Sequence, residues 1–137
     1  MFCTSGPAEL LAYNNLVVLF VFHTFGHQDL IHDLQRVNRV FTKHSHTSYL
    51  PEKQLLAKRL AQCLTSSLPS GVHLKAIETY RVVFARIGTA RLALDLPLYA
   101  GGLFPLLSYS ATTLKPAVLS LYEATLLPLG PYLVPYL

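Results

Sequence analysis

The chain has no tryptophan, one methionine and two cysteines in 137 residues. Two cysteines, Cys3 and Cys63, are too few for the disulfide framework of a small secreted domain, so a reducing compartment is expected. Charge is scarce as well. Asp, Glu, Lys and Arg make up 13% of the chain, about half of the roughly 25% of an average soluble domain. Apolar residues reach 52%, so surface is expected to be buried against a membrane or a partner. The basic start of a secretory signal is missing. The apolar run at residues 16–22, LVVLFVF, is seven residues long, against about 20 for a bilayer-spanning helix. Asn14, Asn15 and His23 flank it. A small integral membrane protein anchored by residues 10–25 is therefore the alternative reading, and a buried strand or short helix the plainer one.

Signature motifs of the common enzyme classes are absent too. The sequence holds no G-x-S-x-G, P-loop, G-x-G-x-x-G or H-E-x-x-H pattern. No catalytic residue, cofactor or metal site is assigned, and the chain is not expected to be an enzyme. Asp29 and Asp33 stand four apart at a helix start, where the dipole favours negative charge, and this accounts for them without catalysis. His44 and His46 lie in a polar stretch with no third ligand beside them. Cys63 falls on a helix face as a small buried hydrophobe. The net charge of +4 permits contact with acidic membranes or proteins. Nucleic acid is not expected as a partner, because the basic residues are spread along helices among apolar ones.

What is present is helical patterning from about residue 27, after an atypical apolar segment over 1–26. Leu30, Leu34, Val37 and Phe41 are spaced for one helix face. Pro51 suits the first turn of a second helix, whose stripe is Leu56, Leu60, Cys63 and Leu64, with Pro69 as its stop. Ser70 is the expected N-cap of a third helix. Its apolar positions are Leu74, Ile77, Val83, Phe84 and Ile87, with Lys75, Glu78, Arg81 and Arg86 between them. Gly88 supplies a left-handed stop, and Thr89 caps a fourth helix reaching Leu98, with Pro97 near its end. Gly101 and Gly102 break the chain again. A fifth segment covers residues 103–110, with Pro105 in its first turn. Pro116 opens a sixth helix with Leu119, Tyr122 and Leu126, which Pro128 and Gly130 end.

Short antiparallel helices joined by tight Pro/Gly turns suggest an all-α fold, a degenerate HEAT- or armadillo-like α-solenoid fragment. The expected organisation is the apolar segment 1–26 followed by a partial helical domain, 27–137, truncated at its C-terminal side. Lys58, Arg59, Lys75 and Arg81 are the candidate basic patch for a partner or a lipid surface.

Several segments carry a specific resemblance: LAKRLAQCL (56–64), LPSGVHLKAIETY (68–80), Ile87-Gly88-Thr89 with Arg91-Leu92-Ala93, GLFPLL (102–107), Lys115-Pro116, and Leu121-Tyr122-Glu123 ahead of Leu127-Pro128-Leu129. Over residues 27–137 the chain resembles the N-terminal region of the Dopey family. The resemblance implies a long, helical, non-enzymatic scaffold or adaptor on the cytosolic face of the Golgi (trans-Golgi network) and endosome membranes. That protein would act in vesicle-mediated transport between the two compartments, with some in the cytosol. Implied partners are a large Arf-exchange-factor-like scaffold, a phospholipid flippase, and the membrane surface itself.

Overall fold

The computed structural model of the chain describes residues 27–43, 53–109 and 112–136. The expected apolar segment 1–26, the anchor over 10–25, and His44 and His46 lie outside the described residues. Among the described residues every regular element is helical and none is a strand. No helix there is long and apolar enough to cross a membrane.

Helix α1 spans His27–Lys43. Its stripe of Leu30, Leu34, Val37 and Phe41 is buried, as a 3.6-residue period requires of one face against a core. Helix α2 spans Lys53–Cys63 and buries Leu56, Ala57, Leu60 and Cys63. It ends ahead of the expected stop at Pro69. After Cys63 the backbone tightens into turns, with Leu64 N–H donating to Ala61 O at 3.1 Å and Leu68 N–H to Thr65 O at 3.1 Å.

Helix α3 spans Ser70–Leu103. Ser70 is not its N-cap. Pro69 takes that position with φ −64 and ψ 156, and its carbonyl accepts the Val72 and His73 N–H groups. Proline already holds the φ that this position needs, so no side-chain cap is required. The buried face runs through Val72, Ala76, Ile77, Tyr80, Val83, Phe84 and Ile87. Leu74, expected on that face, is 39% exposed. At about 100° per residue it falls roughly 60° from Ile77 and 160° from Ala76 around the wheel.

Gly88 divides α3, at the position expected of a helix stop, but its backbone is not that of a left-handed cap. Its φ of 79 and ψ of 164 fall in an extended region open essentially to glycine alone. The consequence is a chain reversal. Tyr80 and Tyr99 are nineteen positions apart, about 28 Å along an unbroken helix, yet their ring centroids are 6.3 Å apart. The arms 70–87 and 89–103 therefore fold back on each other. Tyr80, Phe84 and Tyr99 close the reversal as an aromatic cluster, with Phe84 and Tyr99 edge to face at 5.3 Å.

The second arm runs through Pro97 and both glycines to Leu103, further than expected. Leu92, Leu96, Tyr99, Ala100 and Leu103 are all buried along it, and burial on both sides of Pro97 offsets the lost backbone hydrogen bond. Gly102 is a packing residue rather than a break. A Cβ built there would lie 2.5 Å from the Ala61 Cβ and 2.8 Å from the Ala61 Cα, so the end of α3 touches α2 almost backbone to backbone.

Beyond Phe104 the elements are short. Helix α4 covers Leu106–Tyr109, so Pro105 precedes it rather than standing in its first turn. A 3-10 turn, Thr112–Leu114, leads into helix α5, Lys115–Leu121, with Pro116 in its first turn as expected. A π-type turn, Tyr122–Leu126, follows, and 3-10 turns run through Leu127–Tyr136 with a kink at Gly130. Val118, Leu121, Leu126 and Leu129 face the core. Leu119, expected there, is 50% exposed. Helices α1, α2 and α5 and the 3-10 and π-type turns beyond residue 112 pack on α3, which is the central element.

Candidate interaction surface

Polar side chains fix how α1 and α2 meet α3. Thr79 donates its hydroxyl to Asn38 Oδ1 at 2.6 Å. Arg86, buried at 8% exposure, donates to the Phe41 carbonyl at 2.9 Å and lies 5.5 Å over the Phe41 ring. A cation near a helix C-terminus satisfies a carbonyl left over by the last turn and complements the dipole. Lys53 meets Asp95 at 3.2 Å, joining the start of α2 to the second arm of α3. His73 Nε2 lies 2.7 Å from the Thr65 carbonyl and holds the turn after α2.

The four expected basic residues divide between two helices. Lys58 is exposed on α2. Arg59, a position further, is half-buried and donates to Gln62 Oε1 at 3.1 Å. Lys75 is paired with Glu78 at 3.3 Å. Arg81 is exposed and donates to Ser120 Oγ at 3.1 Å, tying α3 to α5. Lys75 and Arg81 are six positions apart, which turns them about 120° from each other around the helix. They do not form one stripe.

Arg81 instead lines a cleft of about 250 Å³ with Phe41, Thr42, Val82, Ala85 and Arg86. No acidic residue lines it. Arg81 and Arg86 are the charged residues of its lining, beside Phe41, Val82 and Ala85. Sequence reasoning placed Arg86 among the surface residues of α3. The signal available was its position one residue before buried Ile87, on the edge of the apolar face.

The Asp and Glu side chains in ion pairs meet Arg36, Lys53 and Lys75. Among the described residues no group of three His, Cys, Asp or Glu is placed to hold a metal ion. Cys63 is buried as expected. Burial pushes its thiol up to about 11, with the Arg59 charge acting the other way. Burial also raises Tyr122 to about 12, and raises Tyr99 with the Asp95 charge adding to the effect.

Comparison with known proteins follows the same boundaries. Residues 26–137 match the family described as Dopey, N-terminal. Protein DOP1B of Mus musculus is 50% identical over 109 residues, covering 80% of this chain and 5% of the relative. The DOP1 homolog of Drosophila melanogaster is 46% identical over 109 residues, 80% of this chain and 4% of the relative. Protein DOP1 of Saccharomyces cerevisiae is 32% identical over 75 residues, 55% of this chain and 4% of the relative. The chain thus spans about one-twentieth of the length of these relatives. No solved structure matches.

Proposed function

The chain belongs to the Dopey family, by that family's N-terminal region, and on this premise we propose that it is a non-enzymatic scaffold element in vesicle-mediated transport between Golgi and endosomes. The observation that carries the reading is the family match over the whole described region. The proposed location is the cytosolic face of trans-Golgi and endosome membranes, with a pool in the cytosol. The proposed partners are a large Arf-exchange-factor-like scaffold, a phospholipid flippase and the membrane surface.

The physical features support an interaction role. The Lys53–Asp95 pair and the Thr79–Asn38 and Arg81–Ser120 bonds join separate helices. An α-solenoid arrangement, in which further helices stack on this unit, accounts for exposed Leu119, Leu127, Tyr132 and Val134 on the C-terminal elements. Stacked repeats bury such faces against their neighbours. Of the basic set, Lys58 and Arg81 are the exposed members and the proposed contacts for an acidic partner surface.

Affinity purification of the full chain from a cell lysate, paired with alkaline carbonate extraction of membranes, tests this reading. The expected result is recovery of the exchange-factor-like scaffold together with release of the chain by carbonate. Failure to recover that scaffold would contradict the proposed role. Retention in the carbonate pellet would favour the anchor over residues 10–25.

A further inference from the structure

Ser120 is the only serine or threonine in the chain with a carboxylate residue three positions ahead, in Ser120-Leu121-Tyr122-Glu123. Kinases of the acid-directed class read that spacing. Both Ser120 and Glu123 are exposed. The Ser120 hydroxyl already accepts a hydrogen bond from Arg81 Nη2 at 3.1 Å. Arg81 meets no carboxylate among the described residues, so its charge is not neutralised there.

The element that carries Ser120 is short and is held to the core by Val118 and Leu121. Helix α5 is seven residues long and passes at once into the π-type turn, Tyr122–Leu126. A helix that short has little stability of its own and depends on this packing. Ser120 itself stands on the exposed side of this helix, where its hydroxyl is accessible.

We infer that Ser120 is a phosphorylation site and that Arg81 is the receptor of its phosphate. In the transfer, Ser120 Oγ attacks the γ-phosphorus of a nucleoside triphosphate. The bond to the β,γ-bridging oxygen breaks, the hydroxyl proton passes to a base on the kinase, and the diphosphate leaves with the electron pair. A phosphoserine carries a charge of about −1.5 to −2 and three strong acceptor oxygens. Opposite an arginine it converts a neutral hydroxyl contact into a charge-assisted, bidentate one. Glu123, one turn on, opposes the new charge and Arg81 compensates it. The product is a latch between the first arm of α3 and the C-terminal elements. This inference stands independently of the transport role.

The test is to treat the full chain with an acid-directed serine/threonine kinase and ATP, and to follow it by intact-mass and fragment-ion spectrometry. One phosphoryl group on Ser120 is expected, with none on Ser120→Ala and much less on Glu123→Gln. The phosphorylated chain is expected to unfold at a higher temperature, and that gain to vanish in Arg81→Gln. All three substitutions are at exposed positions. No incorporation, incorporation at another residue, undiminished incorporation in Glu123→Gln, or a thermal gain that persists in Arg81→Gln would overturn the inference.

Discussion

A methyl group added at Gly88 meets nothing within 4 Å, so space is not what reserves this position for glycine. The backbone is. With φ at 79 and ψ at 164, Gly88→Ala is expected to lose about 1–3 kcal/mol of stability, measured by urea unfolding. Gly101 also has nothing within 4 Å of an added Cβ, but it lies inside the helix with no positive φ. Gly101→Ala should gain about 0.5–1 kcal/mol in the same assay. Gly102→Ala should lose about 1–3 kcal/mol through overpacking, because the Cβ would meet the Ala61 backbone at 2.8 Å. Equal effects at the three sites would refute the distinct roles given to them. The sequence marked all three glycines as breaks. Only Gly88 is one, because the close approach of Gly102 depends on where α2 lies.

Cys63, Tyr99 and the partly buried Tyr122 carry a prediction in pH. Burial raises their proton affinities, so the folded chain keeps protons that the unfolded chain releases. Stability from this source is complete below the ordinary thiol value of 9.0 and is lost as pH rises through it toward about 11. A urea series from neutral pH upward should show the midpoint falling once the pH passes 9.0. In the native state at neutral pH, Cys63 should resist alkylation, and unfolding should make it reactive.

At the scale of elements, the stripes of α1 and α2 were legible because a 3.6-residue period is a local property. Leu30, Leu34, Val37 and Phe41, and Leu56, Leu60, Cys63 and Leu64, are all buried. Ends were less legible. Pro97 reads as a stop in isolation, yet the second arm of α3 continues six residues past it to Leu103. Leu96 and Tyr99 on either side of it are buried by the fold-back at Gly88, a contact with no trace in the local pattern. Pro97→Ala restores a helical N–H and should stabilise the chain by up to about 3 kcal/mol, read as a higher thermal midpoint. A lower midpoint would contradict this reading, since Pro97 is exposed and its ring fills no interior space. Leu119 was misplaced for a related reason. After Leu121 the backbone widens into a π-type turn, so the 3.6-residue count from Leu126 backwards loses register.

For the whole molecule, the all-helical architecture was evident from the sequence, and the family match confirms the resemblance over residues 26–137. The organisation around α3 was not evident. Its two arms read as two independent short helices, and only the 6.3 Å approach of Tyr80 to Tyr99 makes them one hairpin. The basic set was legible as a list but not as a site. Lys58, Arg59, Lys75 and Arg81 fall on two helices and different faces, while buried Arg86 joins Arg81 at a cleft. Charge patterning along a chain records which residues are basic, whereas the cleft exists only after α1 has packed on α3.

We propose that this helical unit works as a peripheral element of Golgi and endosome membranes. Imaging the full chain in cells, against markers of the trans-Golgi network and endosomes, tests that most directly. The account predicts coincidence with those markers, reduced when Lys58 and Arg81 are both changed to glutamine. A diffuse distribution of an intact chain, unaffected by those substitutions, would contradict it.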